Sequence, residues 1–261
     1  MTTQQSTPGL VVTETDGVLT LRFDRPEVFN ALNGEIVHAC CSLLERASTR
    51  DDVRVVVLTG TGAAFSTGAD IGDGAHARLD IRAMDAANRL IRAIVNCDKP
   101  VVAGVNGVAA GVGLSAALAC DLAVAKESAA FLLAFARVGL MPDGGAPATV
   151  TAAIGRARAM RMALLAEPLP AADAHEAGLV SHCVPDEEYD ATLAGVTRRL
   201  ALGAPLGQAA TKRAINAMAL PGLEETLEFE RTSQTLLLRT ADAKEGMAAF
   251  AQKRHPDFTG A

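Results

Sequence analysis

Hydrophobic and polar positions along the chain fall into two recurring patterns. Leu10–Thr15 and Val18–Phe23 alternate apolar with polar residues on either side of Asp16-Gly17, which predicts a two-stranded hairpin. Val53–Thr59, apolar apart from Arg54, and Pro100–Val105 are nearly unbroken apolar runs, as in strands covered on both faces. Asp121–Ala125, Ala129–Leu133 and Leu179–Val184 are shorter strand-like runs, the second expected to pair beside the first. Helical patterns lie between them. Asn33 can cap a helix through about Ser48, with Glu35 in its first turn. Another helix follows Asp73–His76, runs to about Cys97 and is stopped by Lys99-Pro100. Leu114–Cys120, Thr149–Ala166 with a break at Gly155, and Ala171–Ala177 complete this part.

Strand–helix–strand order implies parallel pairing with helices as crossovers, and so an α/β fold. After Pro185 the pattern is helical only, over Glu187–Leu202, Pro205–Met218, Leu223–Arg239 and Ala241–Lys253. The expected organisation is a core over residues 1–185 and a helical region over 186–261 serving subunit assembly and site closure.

Glycine-rich stretches interrupt these patterns where chemistry is expected. Ala63–Ile71 follows a strand's carboxyl end, the place where α/β folds bind ligands. Asn106–Ser115 joins an apolar strand to a buried helix through Gly107, Gly111 and Gly113. Small residues there allow close backbone approach, and a helix start offers free N–H groups. Main-chain donors near Gly111–Gly113 could therefore hold a developing negative charge. A tight turn with close packing accounts for the same residues. Ala136–Gly145 is a further glycine-rich turn and carries one carboxylate, Asp143.

Composition narrows the partners. The 261 residues carry a net charge of −6, which argues against nucleic acid as the main partner. Hydrophobic residues make up 49%, enough for a sizeable core, yet there is no Trp and only one Tyr, so Ala, Val and Leu must fill it. No apolar run reaches membrane-spanning length, and Met1–Thr7 has no signal-peptide character. The five cysteines form no Cys-x-x-Cys pair, so neither a zinc site nor a disulfide framework is expected. These features together suggest a reduced, cytoplasmic protein.

Several motifs occur in a telling order: Arg25-Pro26, Asn30-Ala31-Leu32-Asn33, Leu58-Thr59-Gly60, Phe65 with Gly68-Ala69-Asp70-Ile71, Lys99-Pro100, Asn106-Gly107, Cys120-Asp121 and Ala177-Gly178-Leu179-Val180. Over nearly the whole chain the sequence resembles the crotonase (enoyl-CoA hydratase/isomerase) superfamily. That resemblance implies a spiral of ββα units with a helical C-terminal part, and a homotrimer or homohexamer. It implies an acyl-CoA thioester as substrate, with no metal or redox cofactor, coenzyme A being part of the substrate. The oxyanion donors would be the Ala69 and Val112 amides; Val112 stands where the family usually has Gly. Ala31, Gly68, Asp70, Ile71, Gly111, Ser115, Phe135 and Lys253 would line or contact the substrate, Asp70 mainly by ordering its loop.

The acid/base positions depart from the family's hydratases. Their two glutamates align with Ser115 and Phe135, neither of which exchanges protons at neutral pH. Asp143 remains, in a segment where isomerase branches of the family carry a catalytic Asp. One carboxylate suffices to move a proton between two carbons. As a bare sequence feature, Asp143 could equally cap the helix entered near Pro147. Ser115 has no His at a nucleophile–base spacing, and a small helix residue is expected there. Lys253 and Arg254 suit CoA phosphates or a solvated helix end. Isomerisation is the favoured reading. Residual hydration, dehalogenation at Asp143 and non-catalytic acyl-CoA binding are the alternatives; family dehalogenases also use a Trp, which this chain lacks.

Overall fold

The computed structural model describes residues 7–71 and 80–261. The hairpin forms as β1 (Leu10–Thr15) and β2 (Val18–Phe23), with every residue of β1 paired across to β2. Asp16 and Gly17 both take positive φ, 52° and 78°, matching the tight turn that a twisted hairpin favours. Asn33 caps α1 (Gly34–Thr49) by accepting the Ile36 N–H at 2.9 Å.

The chain then repeats one device three times: β3 (Val55–Gly60), β4 (Ala64–Ser66) and α2 (Ile81–Val95); β5 (Val101–Val105), β6 (Val108–Ala110) and α3 (Gly111–Ala119); β7 (Leu122–Lys126), β8 (Ala130–Leu132), a 3-10 turn at Ala134–Val138, and α4 (Ala146–Leu165). In each turn the first strand enters one sheet and the second enters another. β9 (Leu169–Pro170), α5 (Ala171–Ala177) and β10 (His182–Val184) follow. The larger sheet runs β1-β2-β3-β5-β7-β10, parallel apart from the hairpin, and the smaller runs β4-β6-β8-β9. This is the expected spiral of ββα units. One pairing differs from expectation: Ala130–Leu132 lies in the small sheet against β6, not beside β7.

The apolar runs of β3 and β5 are explained by burial on both faces. Val56, Leu58, Val101 and Ala103 face the main core, while Val55, Val57 and Val102 face a second cluster closed by Tyr189. Tyr189 begins α6 (Tyr189–Ala201), which is followed by α7 (Pro205–Ala219), α8 (Leu223–Leu237) and α9 (Ala241–Ala251). The break expected at Gly155 is present inside α4, with φ 76° and ψ 162°. Among the described residues no helix is long and apolar enough to cross a membrane. The start of the helix expected after Asp73–His76 lies outside the described residues; within them α2 opens on an Asp80 cap.

The helical region is fastened to the spiral by a buried cation. Lys212 of α7 pairs with Asp121 at 2.9 Å and donates to the Ile94 carbonyl at 2.9 Å. The same Asp121 oxygen accepts the Val101 N–H at 2.7 Å, tying α7 to the start of β5. Burial pushes the Asp121 carboxyl up against the lowering influence of Lys212. Lys212→Met leaves Asp121 without its counter-ion. It should cost about 3–5 kcal/mol in chemical denaturation at neutral pH, with the loss shrinking in acid as Asp121 takes a proton. An unchanged unfolding midpoint would contradict this anchoring.

Candidate active site

Two asparagines organise the loops around the ends of the parallel strands. Asn30 sits at φ 58°, a left-handed conformation that asparagine tolerates. Its amide donates to the Thr61 and Ala64 carbonyls at 2.9 and 2.7 Å, and its side-chain oxygen accepts the Arg25 N–H. Asn106 reaches the same Ala64 carbonyl at 3.0 Å and accepts the Gly60 N–H at 2.9 Å. These hydrogen bonds join the segment after β3 to the segment after β5.

The two glycine-rich stretches then meet backbone to backbone. A Cβ on Gly113 would lie 2.7 Å from Ser66, and one on Gly107 would lie 2.1 Å from the Ala63 carbonyl oxygen. Gly68, at φ 96°, faces the first turn of α3; a Cβ there would lie 3.1 Å from the Val112 nitrogen. Val112 is in the first turn of α3, where N–H groups have no carbonyl inside the helix. Ala69 bridges Leu32 in parallel, the bonds being Leu32 N–H to Gly68 O and Asp70 N–H to Leu32 O. Amides alternate in direction along an extended segment, so the Ala69 N–H faces away from the Leu32 chain. The geometry thus brings the Ala69 and Val112 amides onto adjoining loops.

The surrounding residues have separate tasks. Asp70 pairs with Arg25 at 2.8 Å, and the same guanidinium nitrogen donates to the Ala31 carbonyl, so both motif residues help brace the loop. Phe135 is buried in the 3-10 turn, its ring tip 4.0 Å from where a Gly111 Cβ would stand. Ile71 is half-buried at the edge of the described residues. Ser115 is fully buried and donates to the Asp143 carbonyl at 2.7 Å. Its hydroxyl anchors the carboxylate-bearing loop, a role the sequence did not disclose. Lys253 stands apart: it is exposed, at φ 53°, beyond the end of α9. Its neighbour Arg254 pairs with Glu245.

Asp143 does not cap α4. The N-cap is Gly145, in a left-handed conformation, with no side-chain cap bond. The Asp143 carboxylate instead turns to α8, accepting from Gln234 Nε2 at 3.0 Å through Oδ2, while Oδ1 is buried without a partner among the described residues. Gly144 fits between this carboxylate-bearing loop and α3: a Cβ there would lie 2.8 Å from Ser115 and 3.3 Å from Val112 Cγ2. Asp143 therefore sits next to the start of α3. Burial pushes its carboxyl up to about 6, against the opposing Gln234 hydrogen bond.

Sequence reading missed two residues here. Glu230 and Gln234 of α8 are both buried, and Glu230 accepts the Gly145 N–H at 2.9 Å. Gln234 also donates to the Met141 carbonyl and accepts its N–H. A signal was present: Leu223, Leu227, Glu230 and Gln234 share one helical stripe, so its two polar members had to face inward.

Residues 13–261 match the family model described as enoyl-CoA hydratase/isomerase. The chain belongs to the crotonase (enoyl-CoA hydratase/isomerase) superfamily. It is 42% identical, over 94% of its length and 95% of the relative's, to a probable enoyl-CoA hydratase of Rhodobacter capsulatus. It is 39% identical, with the same two coverages, to the 1,2-epoxyphenylacetyl-CoA isomerase of Escherichia coli. The crystal structure of an enoyl-CoA hydratase from Mycobacterium avium subsp. paratuberculosis superposes with TM-score 0.92 at 45% identity, covering 97% of this chain and 100% of that one. Crotonase relatives thus carry both hydratase and isomerase names.

Gly68→Ala tests the meeting of the two loops. The methyl would intrude between Gly68 and the Val112 amide on a backbone that disfavours a side chain. Turnover of enoyl-CoA by the folded variant should fall roughly 10²–10³-fold in steady-state kinetics, the effect of losing one preorganised donor. Parent-level turnover would remove the Val112 amide from the site.

Proposed function

We propose that this crotonase is an enoyl-CoA isomerase that moves one proton through Asp143 while the Ala69 and Val112 amides hold the thioester oxygen. The observation that carries the reading is the Asp143 carboxyl itself. It is buried beside the start of α3, has one oxygen without a partner among the described residues, and stands where Ser115 and Phe135 offer no competing acid or base. A carboxyl pushed up to about 6 is mostly ionised at neutral pH yet basic enough to take a proton from carbon.

The chemistry follows from that placement. Asp143 takes a proton from the carbon next to the thioester carbonyl. The C–H electron pair moves into the carbonyl, and the oxygen becomes enolate-like between the two amides. The double bond shifts, and the same carboxyl returns the proton two carbons further along. No water is added and no second acid is needed. Hydration would need water activated and carbon protonated, which is the work of the two glutamates that Ser115 and Phe135 replace.

The substrate is an acyl-CoA thioester. The half-buried and buried walls offered by Ala31, Ile71, Gly111 and Phe135 suit an apolar acyl chain. Lys253, which stands apart from these loops, suits the CoA phosphates of a neighbouring subunit in the assembly inferred below. We also infer a homotrimer or homohexamer built with the helical region. Leu202, Leu206 and Met218 are 80%, 85% and 83% exposed, too much apolar surface to leave in water without purpose. Sedimentation at micromolar concentration should give a trimer or hexamer; a monomer would exclude that assembly.

Asp143→Asn keeps size and removes proton transfer. Isomerisation of 3-enoyl-CoA should fall by roughly 10²–10⁴, with acyl-CoA affinity little changed. In the parent, activity should rise with pH through about 6 as the carboxyl ionises. A variant that isomerises at the parent rate, or that hydrates 2-enoyl-CoA faster than the parent isomerises 3-enoyl-CoA, defeats this reading.

A further inference from the structure

One buried acid has no part in the reaction just described. Glu230 is 1% exposed, on the face of α8 that packs against α2, α4 and the loop carrying Asp143. Its Oε2 accepts the Gly145 N–H at 2.9 Å, while its Oε1 is buried without a partner among the described residues. One turn along the same helix, Gln234 binds the Asp143 carboxylate at 3.0 Å and both main-chain polar groups of Met141. Two side chains of a single helix therefore hold the loop on both sides of Asp143. An acceptor for Gly145 could have been an amide. A carboxyl instead brings a second acid into the pocket that already desolvates Asp143.

We propose that Glu230 is a positioning residue for Asp143, clamping the loop behind it and confronting it with a second buried carboxyl, so that the site works only while Glu230 keeps its proton. This rests on the reading of Asp143 as the acid/base.

The surroundings leave Asp143 as the acid that Glu230 responds to. Burial pushes the Glu230 carboxyl up to about 8, against the Gly145 and Gly144 amides that favour its charge, and the Asp143 carboxylate adds to the rise. On α2, Asn88 is neutral and donates to the Leu227 carbonyl. Arg92 is taken up by Glu224, and Asp85 by Arg231, which also meets Glu228. From Ala146 to Gly155, α4 carries no charged residue. Asp143 ionises first and Glu230 holds its proton until the solution is alkaline. Once both are ionised, two negative charges share one buried pocket. Repulsion then displaces the Asp143 carboxylate from Gln234.

The test is the pH profile of kcat/KM for 3-enoyl-CoA, each variant scaled to its own maximum. The parent should rise through about 6 and fall through about 8. Glu230→Gln keeps an acceptor for Gly145; it should retain the rising limb and lose the falling one. A falling limb that persists in the variant, or is absent from the parent, overturns the proposal. Infrared titration of buried carboxyl bands in Asp143→Asn provides a second readout that does not depend on how Glu230→Gln folds. With the neighbouring charge gone, Glu230 should release its proton at lower pH, and an unmoved titration also overturns the proposal. If Asp143→Asn isomerises at the parent rate, the acid/base assignment fails by itself, whatever the infrared titration shows of the carboxyl pair.

Discussion

Everything at the site depends on a contact between two pieces of backbone. The segment after β4 and the start of α3 approach so closely that no Cβ fits at Gly113, because Ser66 already fills the space. Gly107 is held to the same standard by Ala63. These contacts follow from the spiral: β4 and β6 are parallel neighbours in the small sheet, so the loops leaving them run side by side. The hairpin, the capped helix α1 and the twice-buried strands β3 and β5 provide the rigid frame on which that approach can be repeated in every molecule. Asn30 and Asn106 fix the approach from the opposite direction by sharing the Ala64 carbonyl.

The carboxyl pair is a second constraint, and it works against the fold. Asp143 and Glu230 both have carboxyls raised by burial, so ionising them favours the unfolded chain. Their contribution to stability is fully present below the ordinary carboxylate values of 3.8 and 4.5, and is lost as pH rises through about 6 and then about 8. At neutral pH the fold therefore bears a charge on Asp143 that burial opposes. Ser115, Gln234 and Glu230 hold the loop in place under that load. Groups raised in this way gather at functional sites, where proton affinity matters more than stability.

Much of this was legible in the sequence where a residue acts through its neighbours in the chain. The Asp16-Gly17 turn, the Asn33 cap and the Gly155 break are local, and each is found where the sequence places it. The short strands β4, β6 and β9 were not legible, because runs of two or three residues carry no period. β8 was visible as a strand, but its partner was not, since the spiral rather than proximity along the chain decides which sheet receives it. The same limit hid the true partner of Asp143. The cap reading is consistent with a Pro-Asp-Gly-Gly segment, and only the arrival of α8, some ninety residues later, shows the carboxylate turned away from α4. Ser115 was recognised as a small helix residue, but its bond to the Asp143 carbonyl needed the two loops in space.

The proposed donors are main-chain amides, which has a consequence for how such a protein can drift. The amide of Ala69 or Val112 survives almost any replacement of its side chain, so a mutational scan should find broad chemical tolerance at these two positions. Intolerance should fall instead on Gly68 and Gly113, which contribute no functional group at all. Val112 itself illustrates this freedom: a branched side chain occupies a proposed donor position in the first turn of α3, where the amide has no carbonyl partner inside the helix. Under the proposed function, substrate preference can therefore be retuned at these two positions, one side chain at a time, without removing the amides assigned to the thioester oxygen.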